Sequence, residues 1–566
     1  MLMKQVVQIT FKPLNMKKRL LWIVPLFALL GLGILTTGYR DNSFEIVKNL
    51  DIYTSLFKEL NTYYVDEIDP GKVIKTSIDN MLESLDPYTN YIPESDIEDY
   101  RFMTTGNYGG VGALIRKSDD RVIVADPYEG FPAQKAGLRA GDVLLQIDDF
   151  DTKDKSIEAV SEKLKGQPGT AIKVKVKRPG VEEPFERDIV RSKIHMPAVP
   201  YYGMMENKTG YVHVSSFTHE VSNELKDAIL DLKSQGMEKL ILDLRGNPGG
   251  LLNEAVEMAN FFVNKGELIV FTKGKVKDWN QEYYAQKEPL VPEIPLAVLV
   301  NSGSASASEI VSGSIQDLDR GVIIGSRTFG KGLVQTTRPL SYNARLKLTT
   351  AKYYIPSGRC IQALDYSHRR EDGSVGKIPD SLISSYKTKN GRIVYDGGGV
   401  MPDVEVKNTM MSEIAVSLIR KQLIFDFATE YVASHDTIQD PSSYEISDEV
   451  FESFKAFLAD KEFDYKLQSE SELDEFEETL EKEKYLGLVK DEIAKLREKL
   501  THDKEKDLTT FQDEIRELIS EEISSRYFYQ KGRIQTALHY DQYLDTAIMI
   551  VNDTARYRTI LTAVGE

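Results

Sequence analysis

An α/β core, preceded by a compact β-rich module and flanked by helical extensions, is the fold class that the sequence predicts. Three observations predict it. Between about residues 195 and 407, the apolar runs GYVHVSSF, KLILDLRG, PLAVLVN and GVIIGS alternate with the amphipathic segments NELKDAILDLKSQG, LNEAVEMANFFV and ASEIVSGSIQDL. Runs of the first kind suit buried strands, the second have helical period, and their alternation marks a layered α/β core. Residues 108–190 have another texture: YGGVGALIR, RVIVADP, TAIKVKVKRPG and PFERDIV are short β-like runs with glycine-marked turns, joined by a helix in SIEAVSEKLKG. Beyond about residue 408 the chain is helical and highly charged, and SELDEFEETLEKEKYLGLVKDEIAKLREKL mixes both signs as a solvated helix or hairpin does.

The elements before the module follow from their own residues. MLMKQVVQITFKPLNMKKRL carries Lys4, Lys12, Lys17, Lys18 and Arg19 with no acidic residue, and the apolar run Leu20–Leu35 follows. That run is slightly short for a spanning helix of about 17–25 residues; Thr36, Thr37, Gly38 and Tyr39 extend it through the interface. A basic flank stays cytoplasmic. Residues 1–40 are therefore expected to anchor the chain in the cytoplasmic (inner) membrane as a single pass, with the rest periplasmic or otherwise extracytoplasmic. A cleaved signal peptide is the rival, but no small-x-small cleavage pattern follows the run. Residues 41–107 read as helical, since FEIVKNLDIYTSLFKELNTYY repeats apolar residues at three- and four-residue spacing until Asp86-Pro87 and Ile92-Pro93 break it. The module is then 108–190, the α/β core 191–407 and the charged helical region 408–566.

Composition removes several function classes. A net charge of −17 over 566 residues argues against a nucleic-acid binder, which needs basic surface to neutralise phosphates. The single cysteine, Cys360, excludes an internal disulfide and any cysteine-rich zinc site, and no H-E-x-x-H metal motif occurs.

Chemistry concentrates in NSGSASASEI, where serines stand at 302, 304, 306 and 308 between a strand and a helix. Ser306 and Glu309 fit the S-x-x-E capping box, so Ser306 has a purely structural reading. The same geometry suits a nucleophile, because free N–H groups at a helix N-terminus stabilise an oxyanion beside the hydroxyl. A serine needs a base. None of the histidines at 195, 213, 219, 368, 435, 502 and 539 carries a local motif, and no G-x-S-x-G elbow occurs. Lysine serves instead where burial removes its charge. Lys331 in RTFGKGLVQ lies between Gly330 and Gly332, and Gln335 follows four residues later on the same face. One rival uses the same residues: Gly325–Lys331 fits the phosphate-binding G-x-x-x-x-G-K. There, however, Gly332 replaces the magnesium-binding Ser or Thr, and β-like LVQTTRPL replaces the following helix.

Together SASASEI and RTFGKGLVQ, with SLDPYTNYI, GNYGGVG, AGLRAGDVLLQID, ILDLRGNPGGLL, YYIPSGRCIQ and GGGVMPDVEV, resemble the carboxyl-terminal processing peptidases, or tail-specific proteases, over roughly residues 75–407. The resemblance implies a crotonase-like core with an inserted PDZ domain and a serine endopeptidase without cofactor. It implies Ser306 as nucleophile, Lys331 as base and then acid, Gln335 as its positioner, and the N–H groups of Gly250 and Ala307 as oxyanion donors. The 108–190 module resembles a PDZ domain, whose carboxylate loop would be Gly110, Val111, Gly112 and Ala113 and whose partners are protein C-terminal tails. Ala113 is smaller than the bulky residue usual there. Region 408–566 falls outside these motifs; it reads as a packing extension or as a surface for homodimerisation or adaptor docking. An inactive PDZ scaffold binding C-termini without turnover is the alternative from another class.

Overall fold

The computed structural model describes residues 42–562 apart from 371, 408, 409, 501 and 502. The expected anchor therefore lies outside the described residues. Among those described, no helix is long and apolar enough to cross a membrane. The chain divides into two units at Met81/Leu82. The first holds helix α1 (Asn42–Tyr63) and most of α2 (Pro70–Glu83). Asp69 caps α2 by accepting the N–H groups of Gly71 and Lys72, with Pro70 at the first helical position.

The second unit begins with strand β1 (Asn90–Ile92), helix α3 (Ile97–Thr105) and β2 (Asn107–Gly110). Then come β3 (Ala113–Ser118), β4 (Arg121–Pro127), α4 (Pro132–Lys135), β5 (Val143–Ile147), β6 (Phe150–Asp151), α5 (Ile157–Leu164), β7 (Ala171–Lys177) and β8 (Phe185–Val190), before β9 (Ser192–His195). Strands β3-β4-β5-β7-β8 form one sheet in that order, with β6 against β5. In β7, AIKVKVK alternates: Ile172, Val174 and Val176 are buried while the lysines face outward, the period-two pattern of a sheet with one dry face. Strand β2 pairs antiparallel with β9, Asn107 opposite His195, so the chain enters and leaves the module side by side.

The core follows as β10 (Tyr201–Met205), β11 (Thr209–His213), α6 (Val221–Ser234), β12 (Lys239–Asp243), α7 (Leu252–Asn260), β13 (Leu268–Gly274), β14 (Glu282–Tyr284), β15 (Leu296–Val300), α8 (Ala307–Asp317), β16 (Val322–Gly325), β17 (Leu333–Pro339) and β18 (Arg345–Tyr354). Two short ladders, β19 (Leu364–Arg369) with β20 (Val375–Lys377) and β21 (Ser385–Lys387) with β22 (Ile393–Tyr395), precede β23 (Val404–Glu405). Strands run β10-β11-β12-β15-β16-β23 in the main sheet, parallel from β11 onward. A second sheet holds β1, β18, β13 and β14, with β17 also on β18.

Both faces of the main sheet are covered, which is why its strands read as continuous apolar runs. Leu240, Leu242, Val298 and Val300 pack with Leu225, Ile229 and Ile310 of helices α6 and α8. The alternate residues Ile241, Ala297, Leu299 and Ile324 pack with Leu544, Ala547 and Ile550 from the far end of the chain.

That far end is helical throughout: α9 (Glu413–Arg420), α10 (Leu423–Ser434), α11 (Asp448–Leu458), α12 (Gln468–Lys482), α13 (Leu486–Leu500), α14 (Lys504–Thr510), α15 (Gln512–His539), α16 (Gln542–Asn552) and α17 (Thr554–Ile560). Helices α12 and α13 form the charged hairpin, Arg497 pairing across it with Asp474 and Glu477. The region also touches the β-rich module. The Phe425 ring lies between the guanidinium groups of Arg116, at 3.5 Å, and Arg526, at 4.2 Å. The Gln134 amide donates to the Tyr529 hydroxyl at 3.0 Å.

Candidate active site

Strand β15 runs into helix α8 through the serine-rich turn, and the structure separates the four serines. Ser302 is exposed. Ser304 is buried and donates to the Leu244 carbonyl at 2.8 Å; Ser308 is buried and donates to the Asn247 carbonyl at 2.9 Å. These two therefore fasten the turn to the segment after β12. Ser306, between them, is partly exposed and holds φ 56°, ψ −110°. A side chain in this region of backbone space costs about 1–3 kcal/mol and persists where surrounding contacts impose it. The strained strand–turn–helix elbow forms here without the G-x-S-x-G signature, its flanking small residues being serines.

Opposite stands the turn of LRGNPGGLL. Phe217 bridges to Gly250: it donates to the Gly249 carbonyl at 3.0 Å and accepts the Leu251 N–H at 2.8 Å. That pattern turns the N–H of Gly250 away from Phe217, and no acceptor for it occurs among the described residues. The same holds for the N–H of Ala307, the first residue of α8. A Cβ on Gly249 (φ 97°) would lie 2.8 Å from the Ser306 Cβ and 2.9 Å from the Ala307 nitrogen. Gly249 thus lets the turn press directly against the elbow, which a side chain there would prevent.

The loop carrying Lys331 reaches the same place through Glu309. This carboxylate is fully buried. Its Oε1 accepts the Thr328 hydroxyl at 2.6 Å and the Gly330 N–H at 2.7 Å. Its Oε2 accepts the Ser306 N–H at 2.8 Å and the Lys331 N–H at 2.9 Å. A second bridge spans the two positions. The Tyr353 hydroxyl lies 3.0 Å from the Ser306 carbonyl and 2.7 Å from that of Lys331. The same contacts dispose of the phosphate-loop reading, because the loop amides that would cradle a phosphate hold the protein's own carboxylate.

The Lys331 ammonium sits 4.1 Å over the centre of the Tyr88 ring. Burial first, then the charge of Lys347, lowers its pKa to about 8, against the upward pull of Asp86 and Glu309. Gln335 is not bonded to Lys331 here. Its amide donates to the Thr349 hydroxyl at 3.2 Å, which donates to Asp86 at 3.2 Å. Lys331 stands in the loop before β17 (Leu333–Pro339), so strand alternation does not carry from it to Gln335. His213 faces Asp243 at 4.0 Å, and His195 pairs with Glu224 at 3.0 Å. No described histidine bonds to Ser306 or Lys331.

The sequence points to positions 306, 331, 250 and 307, which the fold brings together, but not to Gly249, Tyr88, Tyr353 and Asp86, which it gathers beside them. It also gave Glu309 only a capping role. The strings SLDPYTNYI and YYIPSGRCIQ contain three of these; only long-range folding shows what they touch.

In the β-rich module, the N–H groups of Val111 and Gly112 have no acceptor among the described residues, while their carbonyls are held by Ala133 at 2.8 Å and Tyr128 at 3.0 Å. Gly112 has φ 75°, and a Cβ there would strike the Phe131 Cβ at 2.5 Å. Adjacent outward N–H groups of this kind suit a carboxylate. Gly110 is committed to the β2–β9 ladder, and Ala113 opens β3, which ends the sheet.

Comparison with known proteins gives three matching family models. Peptidase family S41 matches residues 208–367, a PDZ domain matches 123–178, and the probable PDZ-protease C-terminal helical domain matches 414–551. The carboxy-terminal-processing protease of Bartonella bacilliformis is 39% identical over 334 residues, 58% of this chain and 76% of that protein. A probable CtpA-like serine protease of Staphylococcus aureus is 37% identical over 316 residues, 55% of this chain and 62% of that protein, so less than two thirds of the latter is spanned. Among solved structures, a photosystem II D1 C-terminal processing protease aligns at 28% identity and TM-score 0.34, covering 63% of this chain and 92% of that one.

Proposed function

The chain belongs to the carboxy-terminal-processing proteases of peptidase family S41, serine-type proteases with a PDZ domain, and on that premise we propose that Ser306 and Lys331 are its catalytic dyad. The observation that carries this reading is the double tie between the two positions, amide to amide through Glu309 and carbonyl to carbonyl through Tyr353. The neutral Lys331 amine takes the Ser306 proton as Oγ adds to the scissile carbonyl. The N–H groups of Ala307 and Gly250 receive the oxyanion. Lys331 then passes the proton to the departing amine, leaving an ester on Ser306 that water hydrolyses by the same route in reverse. Gln335 acts on Lys331 at one remove, through Thr349 and Asp86.

The substrate is a protein C-terminal tail. Its carboxylate sits on the N–H groups of Val111 and Gly112 and its backbone adds to β3, which delivers the segment upstream to Ser306. The core belongs to the crotonase-like arrangement, and residues 20–35 hold the protein at the cytoplasmic membrane with its catalytic part outside.

The test is incubation of purified protein with a tailed substrate, the products being followed by mass spectrometry. Wild type releases C-terminal fragments, while Ser306→Ala and Lys331→Ala fold but release none. Near-normal turnover by Lys331→Ala sinks the dyad, and binding without turnover by wild type makes the protein a scaffold.

A further inference from the structure

The capping-box residue does more than cap. Glu309 offers four acceptor positions in a fully buried carboxylate, and all four are filled: two by the loop that carries Lys331, one by the Lys331 N–H itself and one by the Ser306 N–H. A helix cap needs only the contact with Ser306. The other three donors come from residues 328–331, across a gap that no local motif requires.

Resting on the dyad reading above, we propose that Glu309 is a positioning residue for catalysis, its single carboxylate holding nucleophile and base in register. The geometry makes the register claim direct. One oxygen, Oε2, accepts both backbone amides, at 2.8 and 2.9 Å, so displacing either chain segment breaks a bond to a buried charge. Such bonds are costly to lose, and a shift of about 1 Å between reacting groups can cost on the order of a hundredfold in rate.

A charge effect accompanies this register, set by what surrounds the amine. Lys331 faces the Tyr88 ring, Asp86 from the segment after α2, Lys347 from β18 and Glu309 from α8. Glu309 itself faces Tyr88, Tyr353 and Cys360, whose phenol and thiol groups are all held neutral by burial. Burial pushes the Glu309 carboxyl up to about 7, against the pull of its four donors, and its ionised form raises the affinity of Lys331 for a proton. Removing that charge therefore moves the acid limb of the kcat/KM profile, where Lys331 loses its proton, to lower pH. A structural cap would leave the limb where it is.

The experiment compares wild type, Glu309→Gln, Tyr353→Phe and Ser306→Ala as full chains, by pH–rate profile on a tailed peptide and by thermal unfolding. Glu309→Gln is expected to lower kcat at least tenfold with KM within about twofold, and to shift the acid limb downward. Tyr353→Phe, which removes a neutral tie, lowers kcat without moving the limb. An unchanged kcat and limb in Glu309→Gln overturns the proposal. Should that variant not fold, Thr328→Val decides: it removes one donor to Oε1 and spares both amides, so a fall in kcat at constant KM supports the positioning role and an unchanged kcat overturns it. Activity retained by Ser306→Ala refutes the dyad instead, which keeps the two failures apart.

Discussion

At the residue scale, Lys331, the proposed base, is governed by opposing neighbours. With a pKa of about 8, roughly a tenth of Lys331 is neutral at pH 7, against roughly a few in ten thousand for an ordinary lysine. On the dyad reading, activity should therefore climb as pH rises through about 8, because only a neutral amine can accept a serine proton. Lys347→Gln tests the balance: removing the like charge raises the Lys331 pKa, and the limb should move to higher pH, the opposite of the shift in Glu309→Gln. Profiles of kcat/KM against pH decide it, and a limb that stays put contradicts the electrostatic account. Position 306 illustrates what a local signature conveys. S-x-x-E located the helix start, and the structure has the Glu309-to-Ser306 contact that it describes. The partners at 328, 330 and 331 lie 19 to 22 residues away and carried no local signal.

At the element scale, the strand–turn–helix units were legible because both faces of the sheet are dry, which makes β12, β15 and β16 continuous apolar runs. Glycine in the turn after β12 was legible too, but not which glycine does what. The Gly250 N–H has no acceptor among the described residues, whereas Gly249 makes the close approach to Ser306 and Ala307. Gly249→Ala should consequently push the turn off the elbow and lower kcat by about a hundredfold or more with little change in KM, as losing an oxyanion donor does. Steady-state kinetics on the tailed peptide would reveal it, and a variant with wild-type kcat contradicts the placement. The shared face expected for Lys331 and Gln335 assumes one continuous strand, whereas Lys331 stands in the loop before β17 and Gln335 in the strand itself.

At the scale of the whole molecule, the helical region beyond residue 408 was readable as helix but not as a structural part of the active site. Its helix α16 seals the back of the catalytic sheet. Arg245, ahead of the turn that holds Gly249 and Gly250, pairs with Asp243 and with Asp541 ahead of α16. No period or motif connects residues 296 positions apart. A chain ending at Tyr540 would bare the sheet where Leu544, Ile550 and Val551 pack. At about 1.5–3 kcal/mol for each of these three side chains, the loss is roughly 4.5–9 kcal/mol, comparable to the whole stability of a typical domain. Such a truncation should aggregate or unfold and cleave nothing, as size-exclusion chromatography and circular dichroism would register; a folded, active truncation contradicts this role.

The Arg245–Asp541 pairing also sets an order of events during synthesis. A ribosome extrudes the serine and the lysine well before it extrudes the carboxylate that steadies the turn beside them, and the sheet's rear cover emerges later still. Assembly of the site around Ser306 therefore waits until residues 541–552 have been made, and a polypeptide arrested before them lacks both the brace and the cover.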